Sequence, residues 1–335
     1  MAQPETLVEI WRGPFAESLH AGHAVVCDAS GILASWGDPD TVILPRSSVK
    51  MIQALPFISS GAADAIGASE ADVAFSCASH QGAAIHTRRA AAWLETLGYS
   101  EADLICGPQM PDDRAAKTAL IKSDDSPCRL HNNCSGKHAG FLSYVKHTGA
   151  SLDYVEPDHP LQRDILEAFE TVTGVTSPGF GVDGCSAPNF ATTIAGLGRA
   201  MAFYANARED GPGYEAAAHR LARAMPAFPE LVAGEGRACT ELMMAGKGKV
   251  AIKTGAEGLF TAIWPQKGIG VGLKITDGGT RAAECAIATI LVGIGALDGE
   301  HPAVRKRMNP RIANFAGIDT GEIKAAPALA GFTLA

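Results

Sequence analysis

The segments Ser47-Ser48-Val49-Lys50 and, far downstream, Lys253-Thr254-Gly255 decide the reading of this chain. Ser47 to Leu55 follows Pro45 and precedes Pro56, which predicts a short helix with Ser47 near its N-terminus. Residues three apart share a helix face, so the Lys50 amine can reach the Ser47 hydroxyl. A neutral amine can take the hydroxyl proton and turn the oxygen into a nucleophile. Desolvation or a nearby cation must first favour that neutral form. S-x-x-K alone is a common accident in 335 residues. The second segment raises its weight: Lys253-Thr254-Gly255 follows the apolar run Val250-Ala251-Ile252 and belongs at the end of a strand.

Further out from these two segments, strands and helices alternate in blocks. Ala24 to Cys27 is an apolar run, Asp28 to Gly31 a turn, and Ile32-Leu33 resumes the strand pattern. His86 to Leu97, Leu161 to Val172 and Tyr214 to Met225 read as amphipathic helices. After Lys249, Val250 to Ile252, Leu259 to Trp264 and Ile269 to Ile275 read as adjacent antiparallel strands, and Arg281 to Leu297 as a closing helix. Strands at both ends with helices between predict an α+β fold in which the terminal segments share one antiparallel sheet. No repeat, low-complexity tract or clear linker divides residues 1–335, so one catalytic unit is expected, with a helical subdomain in the middle. The weakest point is the polar turn Ala207 to Gly213.

Composition narrows the function classes. The chain is 47% hydrophobic, enough to bury a large core, and its net charge is −8. That charge, without a long Lys/Arg run, argues against nucleic acid and against an anionic membrane surface. No run of eighteen apolar residues occurs, and Met1 to His20 lacks the basic patch and apolar core of an export signal. A cytoplasmic location is therefore expected, with the eight cysteines reduced.

Three polar loops interrupt the pattern. Ser76-Cys77-Ala78-Ser79-His80-Gln81-Gly82 could supply a second hydroxyl, though capping serines before the His86 helix explain it as well. His131-Asn132-Asn133-Cys134-Ser135-Gly136-Lys137-His138 is dense in potential ligands, and Val182-Asp183-Gly184-Cys185-Ser186 adds a second cysteine. Cys134 and Cys185 are soft donors suited to zinc, with His131, His138, Asp183 or Lys137 as further candidates. Neither C-x-x-C nor H-E-x-x-H is present, so spacing alone leaves two buried thiols as the plainer reading.

S-x-x-K early and K-T-G late is the order found in β-lactamases and penicillin-binding proteins, although no S-D-N lies between. Longer blocks are more specific. Glu17-Ser18-x-His20-x-Gly22, Pro45-Arg46-Ser47-Ser48-x-Lys50-x-x-Gln53-Ala54-Leu55-Pro56, the His131 to His138 block, Asp183-Gly184-Cys185-x-x-Pro188, Gly255-Ala256-Glu257-Gly258 and Lys274-Ile275-x-Asp277-Gly278 all recur in one pattern. Through them the chain resembles the L-asparaginase II family of the Rhizobium etli type, from about Leu7 to Leu297. The resemblance implies a β-lactamase/glutaminase-like fold and two Ser-Lys pairs, Ser47 with Lys50 and Ser79 with Lys253, with Lys274 a lesser candidate for the last. It also implies Zn2+ held by Cys134, Lys137 and Cys185 as an aid to substrate binding, and a homodimer.

The expected activity is hydrolysis of L-asparagine to L-aspartate and ammonia through an acyl-enzyme. Arg46, His138 and Asp183 would anchor the amino-acid end of the substrate. Glutaminase or another S-x-x-K amidase is the nearest alternative, because one methylene is worth only about 1–3 kcal/mol of discrimination. A non-catalytic amino-acid-binding protein and a zinc-stabilised structural protein are the rivals from other classes.

Overall fold

The computed structural model describes residues Gln3 to Leu334. Its strands are β1 (Glu5–Arg12), β2 (Phe15–Asp28), β3 (Gly31–Trp36), β4 (Val42–Ile43), β5 (Phe180–Val182), β6 (Pro188–Phe190), β7 (Thr192–Thr193), β8 (Ala251–Gly255), β9 (Leu259–Trp264), β10 (Ile269–Ile275), β11 (Arg311–Ala313) and β12 (Asp319–Ala325). The chain forms two compact units. One holds the residues up to Ser48, Thr192–Asn206 and everything from Glu241 onward; the other holds Val49–Ala191 and Ala207–Thr240.

The first unit is built on one antiparallel sheet in the order β11-β12-β1-β2-β10-β9-β8, with β3 paired to β2. The expected α+β architecture is observed: N-terminal β1 and β2 lie between C-terminal β12 and β10. At fourteen residues, β2 is long enough to pair with β1 through its first half and with β10 and β3 through its second. Its buried stretch Ala24-Val25-Val26-Cys27 forms the middle of the sheet, and β8 with the K-T-G segment lies at an edge. The helices Ile194–Asn206 and Thr280–Gly293 pack on this sheet. The second of these stops at Gly293, short of the expected Leu297, and Gly295 follows in a left-handed conformation.

The segment after Pro45 departs from the single helix expected over Ser47 to Leu55. Arg46–Val49 is a 3-10 turn, Lys50–Gln53 one α-helical turn, and Leu55–Ser59 a separate helix with Pro56 in its first turn. Pro56 lacks an N–H and cannot continue the ladder from the preceding turn, which divides the segment at Ala54.

The second unit is mainly helical and centres on Ser135–Thr148, every residue of which is buried from Ser135 to Val145. A helix buried on all sides carries its polar residues inside, and here those include Lys137 and His138. Gly136 sets its separation from the helix Glu70–Ser76: a Cβ there would strike the Phe75 carbonyl. Phe75 of that helix, His80 and His86 form a group of near-parallel rings, with centroids 5.3, 4.6 and 6.3 Å apart. No serine caps the helix Ala84–Leu97; its N-cap is Ala83 without a side-chain bond, so the capping account of the Ser76–Gly82 loop does not hold.

Burial depresses the pKa of both stacked histidines, and the charge of His86 lowers His80 further. Each ring therefore resists protonation more in the fold than in the unfolded chain. Stability is full above about pH 6.5 and falls as the pH drops below it. Urea unfolding should show less stability at pH 5.5 than at pH 7.5. In His86→Phe the difference should shrink; an unchanged slope would contradict the assignment.

Candidate active site

In the first unit the S-x-x-K turn and the K-T-G strand meet. Ser48 donates its hydroxyl to Pro45 O at 2.6 Å, closing the turn on itself. Thr261 Oγ1 on β9 lies 2.8 Å from Ser48 O and 3.3 Å from Lys253 O, joining the turn to β8. Gly255 permits the contact, because a Cβ there would lie 2.9 Å from Pro45 O and 3.0 Å from Ser48 N. Ser48 is thus occupied and fully buried, while its neighbour Ser47 is half-exposed. Arg46, immediately before it, is a non-glycine residue at φ +53°, the sort of backbone cost that persists where surroundings over-determine a site. Lys253 is 1% exposed and donates to Thr254 O at 2.8 Å.

The second unit gathers the other candidates. Lys50 is fully buried, and its amine donates to Ala78 O and, at 3.4 Å, to Asn133 O. Those carbonyls belong to the residues just before Ser79 and Cys134. Lys50 therefore ties the Ser79 loop to the start of the central helix. The same two segments are linked by His80 N donating to Asn133 O at 3.2 Å and by His80 Nε2 to Ser135 Oγ at 2.9 Å. Ser79 itself is buried, with its backbone N donating to Val232 O at 2.9 Å.

Cys134, Lys137, His138 and Cys185 form one buried cluster. Lys137 Nζ is 3.1 Å from Cys185 Sγ and 5.2 Å from the centroid of Phe141. A tight turn presents Cys185: Asp183 N donates to Ala187 O at 3.0 Å, Asp183 Oδ1 accepts from Gly184 N at 2.8 Å, and Ser186 sits at φ +72°. The hydrogen bond from Cys134, together with the Lys137 ammonium, outweighs burial and pushes the Cys185 thiol well below its ordinary range. The same pairing and burial push Cys134 well above it. Burial opposes the Lys137 ammonium, but the two sulfurs overcome that and raise it. His138 is depressed chiefly by burial; its Nδ1 is 3.0 Å from Tyr154 Oη, and its buried Nε2 has no hydrogen-bond partner among the described residues. Asp183 is half-buried at the cluster's edge.

Two cysteines, an amine and an orphaned imidazole nitrogen suit a soft borderline metal. Among the described residues no group of three or more His, Cys, Asp or Glu is placed to hold an ion. The expected trio contains only two such residues, its third member being a lysine. As an ammonium Lys137 is the ion-pair partner of Cys185, so to serve as a ligand it must first lose its proton.

The sequence reading missed three contributors. Thr261 could have been noticed as a buried hydroxyl in the apolar strand Leu259–Trp264. Asn133 and Tyr154 act through backbone and long-range bonds that leave no spacing signal. A surface hollow of the second unit, about 830 Å3, contains none of the candidates. Its Arg220 is engaged by Asp64 at 3.0 Å and Glu70 at 2.8 Å, so the chemistry does not centre there.

Comparison with known proteins follows this geometry. No curated protein matches the chain. In structure it is similar to a putative beta-lactamase from Bacteroides dorei DSM 17855, 13% identical with a TM-score of 0.46, over 81% of this chain and 93% of that one. It is also similar to a beta-lactamase from Mycobacterium bovis, 16% identical with a TM-score of 0.41, over 78% and 89%. The family model described as L-asparaginase II matches residues 8–325. That match runs from the first strand of the main sheet to the last, and the chain belongs to the L-asparaginase II family of amide hydrolases.

Proposed function

We propose that this protein hydrolyses L-asparagine to L-aspartate and ammonia through a seryl ester on Ser47. The observation that carries the reading is the bonded junction of the Pro45–Ser48 turn with the K-T-G strand, where Ser47 is the serine left open. Family membership supplies the amide substrate class. The reading rests also on Lys50 and Lys253, since a fully buried lysine is rare unless its charge has a task.

In the proposed reaction, Ser47 Oγ attacks the side-chain amide carbon as a neutral lysine, Lys50 first, takes its proton. Backbone N–H groups stabilise the oxyanion. The protonated lysine then gives its proton to the leaving nitrogen, and ammonia departs. Water, deprotonated by the same amine, attacks the ester; aspartate leaves and Ser47 regains its proton. Ser79 and Lys253 serve as the second hydroxyl–amine pair, relaying protons. Arg46, His138 and Asp183 engage the amino-acid end of the substrate. Cys134, Lys137 and Cys185 would hold Zn2+, which when bound would help to orient the substrate. We extend the reading to a cytoplasmic homodimer on the strength of the resemblance.

Ammonia release from L-asparagine should be lost on the order of a thousandfold or more in Ser47→Ala. A Ser47→Ala variant that keeps most of its activity would contradict the mechanism.

Chelation tests the metal separately. Removing zinc from purified protein should raise KM for L-asparagine more than it lowers kcat, and the unfolding midpoint should move little. Cooperative unfolding on chelation would instead favour a zinc-stabilised structural site.

A further inference from the structure

The first unit carries a cavity of about 470 Å3, lined among others by His23, Arg46, Glu257, Lys274 and Thr276. It begins at the residue preceding Ser47. The size suits a small amino acid. His23 and Lys274 are register partners on β2 and β10, so their side chains leave the same face of the sheet. His23 Nδ1 accepts from Asp38 N at 2.8 Å, which makes Nε2 the nitrogen that carries hydrogen. Lys274 is half-buried, and its amine donates to the Glu257 carbonyl.

Backbone strain marks the same place independently. Among the described residues five non-glycine residues have positive φ, and two of them, Arg46 at +53° and Glu257 at +63°, line this one cavity. These two carry opposite charges. Such conformations persist where the surroundings hold a side chain to a task. Gly258, directly after Glu257, is also left-handed at φ +71°.

Two cations and one carboxylate around a small cavity match a ligand that carries a carboxylate and an ammonium on one carbon. We infer that this cavity is the α-amino-acid subsite, with Glu257 receiving the α-ammonium and Lys274 beside Arg46 receiving the α-carboxylate. The inference rests on the proposed function for its substrate class, keeps Arg46, and assigns the α-groups to Glu257 and Lys274 in place of Asp183 and His138, which do not line this cavity. It explains how the enzyme would tell a free amino acid from a peptide, whose α-groups are tied up in amide bonds.

Calorimetric titration of the full-length protein with L-aspartate, succinate and β-alanine tests it without turnover. Succinate lacks the amine of L-aspartate, and β-alanine lacks its α-carboxylate. Wild type should bind L-aspartate at least about 10-fold tighter than either. Glu257→Gln should lose about 10-fold or more for L-aspartate while succinate is unchanged, and Glu257→Asp should recover most of the loss. Lys274→Met should lose as much for L-aspartate while β-alanine is unchanged. Wild type binding none of the three, variants keeping the wild-type selectivity, or variants losing all three ligands equally would overturn the assignment. Selective binding without ammonia release would sink the proposed function and leave the subsite standing. Ammonia release with unaltered selectivity in both variants would do the reverse.

Discussion

The burial of Lys50 is the constraint from which the arrangement of the second unit's polar core follows. An amine removed from water must find oxygen atoms to replace its hydration. Here they are the carbonyls of Ala78 and Asn133, neither of them near Lys50 in sequence. Supplying both oxygens fixes the Ser79 loop against the start of the Ser135–Thr148 helix. That in turn determines where Cys134, Lys137 and His138 enter the interior. The unusual sequence of this helix, with glycine, lysine and histidine in its first turn, follows from its position and not from helix propensity. Gly136 is there because the Phe75 carbonyl leaves no room for a Cβ.

The same economy operates in the first unit with different chemistry. One hydroxyl, Thr261 Oγ1, lies within hydrogen-bonding reach of the carbonyls of both Ser48 and Lys253. A strand end and a turn that lie far apart in sequence are held together by that group and by the missing side chain of Gly255. Ser48 closes the turn, so Ser47 alone is presented outward.

Much of this was legible beforehand, for a physical reason. Ser47 and Lys50 are local, and K-T-G follows an apolar run, so short-range rules suffice to place them. The main sheet was foreseen from apolar runs at Ala24 to Cys27 and after Lys249. Strands β11 and β12 were not, because they are polar, largely half-exposed and at or next to an edge, where alternation carries little signal. The single helix expected over Ser47 to Leu55 is instead broken at Ala54, because Pro56, lacking an N–H, opens a new helix at Leu55. The pairing of Lys137 with Cys185 spans 48 residues and came from family resemblance, not from spacing. His138 was named as a ligand candidate, but its tie to Tyr154 depends on tertiary packing alone. Glu257 and Lys274 stood in quoted motifs, yet only the cavity and the positive φ of Glu257 give them a role.

The most direct test of the account is to mix wild-type protein with L-asparagine, quench in acid within milliseconds and map the adduct by mass spectrometry of peptides. The account predicts an aspartyl ester on the peptide that contains Ser47. An ester on the Ser79 peptide, or ammonia release with no covalent adduct at any time, would contradict it.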